Sequence, residues 1–260
     1  QIEPLQAKKE KLEEELKAVY EDSRPAFNAY IASNRLPGEL EEGGWNRVRS
    51  WLGGGKKVEW NDGAKLHLDF ETKSQKDKEM INQADADKPA RVRHKLETID
   101  KGPVGGAMKF MGDDELTIAK MADFKEWDWF SFAVWLKPEE KRERAVVIAS
   151  SRGGVDDGRG FEVLMENEVV SFALMHFVPN NEIRIRAKKP LPLGEWTHLA
   201  FTYDGSSHAS GLKMYWNGEL LETEVVHDNL IKDIARRKEW GDIDLDQIRF
   251  TLGGREHDSP

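Results

Sequence analysis

Cysteine is absent from the 260-residue chain. That excludes disulfides, thiolate metal sites, a cysteine nucleophile and covalent haem attachment in this stretch, and leaves the redox compartment open. No run approaches the ~18 apolar residues that a spanning helix needs, so no membrane span is expected. Excess positive charge is missing too. The 39 Lys and Arg stand against 48 Asp and Glu, a formal net charge of -9. A field of that sign repels phosphate backbones, and the one compact basic run, Arg236-Arg237-Lys238, is short and lies near acidic residues, so no nucleic-acid partner is expected. A secretion signal is also lacking. Gln1 leads straight into a charged segment, which suggests an excised or processed part of a longer protein.

Aromatics are plentiful, with nine Trp and 11 Phe, too many for a disordered chain. Pro4 suits a first helical turn, and no Gly or Pro interrupts before Pro25. Ile2, Leu5, Lys9, Leu12, Leu16 and Val19 follow a three–four spacing, one narrow stripe on a helix that needs a partner. A second short helix is expected over Pro25–Asn34, making residues 1–35 a helical hairpin appendage. Residues 36–63 are rich in Gly (Gly43-Gly44, Gly53-Gly54-Gly55) and read as a connector around Trp45–Leu52. The triple Gly has neither phosphate-loop nor dinucleotide-loop spacing.

After Gly63 the apolar period becomes two. Strands are expected over Ala64–Phe70, Ala107–Met111, Phe130–Lys137, Ala145–Ser151, Phe161–Met165, Val169–Phe177, Glu182–Arg186, Trp196–Tyr203, Gly211–Trp216, Glu219–Thr223 and Ile248–Leu252. Turns such as Asp204-Gly205 and Asn217-Gly218 separate many of them. Without helical crossovers these strands cannot pair in parallel. The fold class is therefore mostly β: an antiparallel jelly-roll β-sandwich over residues 64–260. Thr72–Arg93 reads as a loop or surface excursion, and Asp228–Glu239 as a short helix or long loop.

Four segments occur in order: Gly105-Gly106-Ala107-Met108-Lys109-Phe110, Phe130–Pro138, Gly194-Glu195-Trp196-Thr197-His198-Leu199-Ala200-Phe201-Thr202-Tyr203-Asp204-Gly205 and Leu212-Lys213-Met214-Tyr215-Trp216-Asn217-Gly218. They resemble signatures of the concanavalin A-like lectin/glucanase superfamily, in its laminin-G-like branch. With Tyr203–Ser207 and Glu224–Leu230, the chain also resembles segments embedded in planctomycete and verrucomicrobial cytochrome-containing multidomain proteins. That resemblance implies an exported parent, periplasmic or at the cell surface, with flanking domains. No Cys-x-x-Cys-His is present, so no haem role transfers. Family members usually follow the Leu-Gly-Gly at 252–254 with one more strand, whereas this chain stops at Pro260.

Hydrolases of the superfamily carry Glu-x-Asp-x-x-Glu on one strand. Here Glu126-Trp127-Asp128-Trp129-Phe130-Ser131 lacks the third carboxylate and lies at a strand entry, so no catalytic residue is assigned and no enzyme is expected. Asp242-Ile243-Asp244-Leu245-Asp246 opens like a calcium loop, but Gln247 replaces the required Gly and Gly253 the chelating Glu. No metal residue is assigned. The superfamily resemblance leaves one structural Ca²⁺ open, with Glu71 matching a ligating position, and no other cofactor is expected. Gly205-Ser206-Ser207-His208-Ala209 lacks the last Gly of a nucleophile elbow. His198 reads as a structural group.

Alternation turns Phe130, Phe132, Val134 and Leu136 to the interior and Ser131, Ala133 and Trp135 to the other side. Arg184, Arg186 and Tyr215 alternate outward in the same way. Trp135, Arg184, Arg186 and Tyr215 are therefore expected on one face, which the resemblance makes the concave, glycan-holding one; a covering loop would instead make Trp135 core. Trp127 and Trp129 form a second candidate site at an edge. Rings stack on apolar sugar faces, and guanidinium forks bind hydroxyls or carboxylates. The expected function is a non-catalytic polysaccharide-binding module. The alternative is a module that docks flanking domains through the N-terminal helix without a glycan ligand; a hydrolase is the remote third.

Overall fold

In the computed structural model the chain divides into two compact units, Gln1–Asp62 and Gly63–Pro260. The structure describes residues 63–255, apart from 72–73, 77, 94–96, 112–113, 120, 122, 152–157 and 236–248. The helical hairpin over 1–35, nearly all of the connector over 36–63, the basic run at 236–238 and the acidic run at 242–246 lie outside the described residues.

Sixteen strands form three antiparallel sheets among the described residues. They are β1 (Gln75–Lys76), β2 (Glu79–Met80), β3 (Ala90–Val92), β4 (Glu97–Gly102), β5 (Gly105–Lys109), β6 (Leu116–Ala119), β7 (Phe130–Leu136), β8 (Arg144–Ser150), β9 (Gly160–Glu166), β10 (Val169–Phe177), β11 (Asn181–Ala187), β12 (Thr197–Tyr203), β13 (Leu212–Trp216), β14 (Glu219–Leu220), β15 (Thr223–Asp228) and β16 (Arg249–Leu252). The large sheet has ten strands in the order β1-β2-β3-β6-β16-β8-β9-β10-β11-β15, and the small sheet runs β14-β13-β12-β7. β4 and β5 pair as a separate ribbon.

The two larger sheets share one apolar core. Phe132 of β7 stacks on Phe201 of β12 at 5.0 Å, and both meet Phe172 of β10 edge-on at 5.5 Å. Phe130 packs on Phe161 of β9 at 5.1 Å, so each sheet supplies aromatics to the seam. Burial of such rings dominates core energetics, each contributing several times the stabilisation of one methylene group. In β12, every odd-numbered residue is buried and every even one half-buried, the alternation of a strand with one solvated face. β10 is different: Val170 through Met175 are buried at both parities, so both of its faces are covered.

Three expectations need correction. Ala64–Phe70 is not a strand. The Asn82 side chain bridges it instead, accepting from the His67 N–H at 2.9 Å and donating to the Lys65 carbonyl at 3.0 Å, and Phe70 adopts a positive φ of 52° that ends any extension. Thr72–Arg93 is not merely a loop, since β1, β2 and β3 arise from it and extend one edge of the large sheet. The expected strand 219–223 is two strands: β14 pairs with β13 in the small sheet, and β15 pairs with β11 in the large one. Leu221, buried between them, marks the crossing from layer to layer.

Candidate functional site

The small sheet presents a face built by alternation and register together. β7 pairs with β12 so that Trp135 lies opposite His198, Ala133 opposite Ala200, and Ser131 opposite Thr202. β12 pairs with β13 so that Ala200 meets Tyr215 and Thr202 meets Lys213, and Tyr215 in turn faces Leu220 of β14. All of these positions have the outward parity. Continuing the register one step beyond the ladder sets Trp196 across from Lys137, whose ammonium lies 5.9 Å from the Trp196 ring centre. At the other end Trp129 precedes β7 with the same parity.

The face is open. Trp135 is 40% exposed, Trp129 81% and Leu220 55%, while Ser131 and Ala133 are exposed between the two Trp. The Trp135 and His198 rings meet at 5.1 Å in a T-shaped contact, which orients the indole. Burial holds the His198 imidazole below its ordinary pKa, so it is neutral at pH 7 and acts as an uncharged ring. Alanines lie at the centre of the face in register, with rings on neighbouring outward positions.

The hairpin turn after β12 positions the Trp127–Trp129 entry. The Tyr203 hydroxyl donates to the Glu126 carbonyl and accepts from the Ser207 N–H at 2.8 Å. Burial raises the Tyr203 pKa, so the hydroxyl stays a donor. Gly205 has φ of +79°, and a β-carbon there would stand 2.4 Å from the Trp127 carbonyl oxygen. Only glycine permits that approach. Trp127 is 54% exposed, with the Lys125 ammonium 5.3 Å from its ring centre.

Arg184 and Arg186 lie elsewhere. They belong to β11 of the large sheet, so the structure does not bring them to one face with Trp135 and Tyr215. Arg184 donates to Glu162 at 2.9 Å and to Glu182 at 3.1 Å. Glu162 also accepts from Arg255 at 2.7 Å, and the second oxygen of Glu182 lies 3.3 Å from His227. Glu162 and Glu182 are almost wholly buried, and Arg184 nearly so. Burial opposes the Arg184 charge, but the two carboxylates outweigh it and raise its pKa. Arg186 is half exposed and faces Glu224 of β15 at 4.0 Å. The expectation of one face carrying rings and guanidinium groups is therefore corrected: alternation reports inward or outward, not which sheet.

Register missed by the sequence reading adds Trp196 and His198 to the face. Their signal was present, since both share the parity of Ala200 and Thr202. A cavity of about 220 Å³ opens elsewhere, between the sheet edges, lined by Ile185, Leu212, Met214, Leu221 and Val225 among others. Among the described residues no group of three or more His, Cys, Asp or Glu is placed to hold a metal ion. No helix there is long and apolar enough to cross a membrane.

Layers, register and ring-lined face together define a jelly-roll sandwich of the lectin-like class. The family profile described as the concanavalin A-like lectin/glucanases superfamily matches residues 110–242, just over half of the chain, and the chain belongs to that superfamily. Among solved structures it is similar to the binding domain of botulinum neurotoxin DC in complex with rat synaptotagmin II, at 14% identity and a TM-score of 0.50, over 76% of this chain and 45% of that one. The binding domain of botulinum neurotoxin serotype C1 is similar at the same identity and score, over 76% of this chain and 44% of that one. So is the receptor binding domain of botulinum neurotoxin D, over 76% and 46%. This chain spans less than half the length of these structures, and at such identity the likeness is one of fold. No curated protein matches the chain.

Proposed function

We propose that the protein is a non-catalytic carbohydrate-binding module whose site is the outer face of the small sheet. The observation that carries this reading is the exposed Trp135, held by His198 and grouped by register with Tyr215 and Trp196 around two alanines. Such rings offer flat apolar surface to pyranose faces, and Ser131, Thr202 and Asn217 supply hydrogen-bonding groups at the margins. Arg184 has no part in the site; Trp127 and Trp129 form its end rather than a separate edge site. In a larger exported protein, such a module would hold a polysaccharide near its neighbours and raise their effective concentration on it.

Hydrolysis finds little support. Glu162 and Glu182 lie on one face of the large sheet, but Glu162 is paired with Arg184 and Arg255, and Glu182 with Arg184 beside the His227 ring, which leaves neither free as acid or nucleophile. The docking alternative through the N-terminal helix lies outside the described residues; a different docking surface would be β15, the end strand of the large sheet among the described residues, with Val225 60% and Val226 41% exposed.

The test is a glycan array on the full chain beside its Trp135→Ala variant. Binding to at least one glycan, weakened about tenfold or more by the substitution, is expected, in keeping with one lost ring contact. No binding to any glycan, or undiminished binding by the variant, rejects the reading.

A further inference from the structure

Resting on the reading of this face as a glycan site, we infer that its ligand is a neutral, linear polysaccharide bound along β7 from Trp129 to Trp135. Trp129 and Trp135 share the outward parity and stand six residues apart, roughly 20 Å at the rise of an extended strand. That distance spans several sugar units of one chain. Between them the floor is Ser131 and Ala133, both exposed and short, beside the half-buried Ala200 and Thr202 of β12. Among the described residues β7 is the end strand of its sheet, with no further strand beside it on its outer side. A site for one terminal sugar encloses it in a pocket with converging polar groups. A flat strip with rings at both ends suits the interior of a chain, whose apolar faces recur along its length.

Charge selects the neutral ligand. Lys213 donates to the Ser210 carbonyl at 2.7 Å, and Lys137 lies over Trp196 and 3.5 Å from Glu139. Lys125 lies over Trp127. The guanidinium groups of Arg184 and Arg186 are on the other sheet. Asp204 follows β12 at the Trp129 end, and the whole chain is acidic at -9. A sulfated or uronic chain would meet a repulsive field and cations already engaged.

The test is calorimetric titration of the full chain with neutral cello-, manno- and xylo-oligosaccharides from disaccharide to hexasaccharide, and with heparin as a polyanion. In one series the hexasaccharide is expected to bind about tenfold more tightly than the disaccharide, the increment of one further ring contact. Trp129→Ala should abolish that gain and, because the side chain is 81% exposed, keep the melting temperature of the parent. Trp129→Phe should restore most of the gain. Length-independent binding, or a gain that survives Trp129→Ala, overturns the linear-chain inference alone. Preference for heparin, weakening with salt, overturns its neutral part alone. Failure of every glycan to bind overturns the underlying reading as well.

Discussion

The two sheets use their outward faces in opposite ways. The small sheet turns rings, alanines and hydroxyls to solvent, and the large sheet buries a cluster of opposite charges. Strand composition explains the contrast. β7, Phe-Ser-Phe-Ala-Val-Trp-Leu, and β12, Thr-His-Leu-Ala-Phe-Thr-Tyr, alternate strictly, as strands with one wet face do. β10 reads Val-Val-Ser-Phe-Ala-Leu-Met-His-Phe, apolar or small at both parities, and is covered on both sides. Beside it, the buried Glu162 and Glu182 are tolerable because Arg184 and Arg255 neutralise them. An exposed Trp is thus free to meet a ligand, and a buried Arg is committed to the fold.

Breaking the charge cluster should have the largest effect. Arg184→Ala leaves Glu182 with only the half-exposed His227 and Glu162 with only Arg255, and should cost about 3–5 kcal/mol in urea unfolding, the range for a buried pair that loses one partner. Glycan affinity should not change in the fraction that stays folded. A stability loss below ~1 kcal/mol would mean that the cluster is solvated and the contrast between the faces is false.

The turn that sets the Trp127–Trp129 entry gives an intermediate effect. Gly205→Ala meets the Trp127 carbonyl at positive φ and should cost about 1–3 kcal/mol. It should also weaken long-chain binding while sparing short sugars, because it displaces Trp129 and leaves Trp135 in place. Equal losses for both lengths would detach the turn from the strip.

The smallest effect concerns His198. Its folded pKa lies below the ordinary 6.5 because burial disfavours the imidazolium. Between 6.5 and that lower value the unfolded chain binds a proton that the folded chain does not. Stability is therefore complete above 6.5 and declines as the pH falls through that interval. His198→Gln should flatten that part of the profile of urea midpoint against pH. An unchanged profile would show that His198 is as solvated as a free imidazole and does not brace Trp135.

Much of this fold was legible from local pattern. β10 is bounded as its apolar run is, and β7, β8, β9, β11, β12 and β13 fall within one or two residues of their periodic segments. Most of the misses share one origin, a partner remote in sequence; β4, which pairs with its neighbour β5, was missed because its largely polar Glu-Thr-Ile-Asp-Lys-Gly shows no apolar period. Ala64–Phe70 has strand-like composition but is held by Asn82, more than a dozen residues on. β1 to β3 are too short and polar to show a period, and gain their place by pairing with one another and with β6. β14 and β15 looked continuous because a run of strand residues does not record a change of sheet.

The site divides along the same line. Side-chain parity is a property of one strand, so the outward direction of Trp135, Tyr215 and Arg184 followed from alternation alone. So did the antiparallel class, from the absence of crossover helices, and the acidic character, from composition. Which strands stand side by side depends on long-range pairing, and only that pairing joined Trp135 to His198, Trp196 and Tyr215 while sending Arg184 to Glu162 and Glu182. Whether an outward face meets solvent is a matter of what else the chain lays over it, and burial of that kind exists only once the whole sandwich has closed.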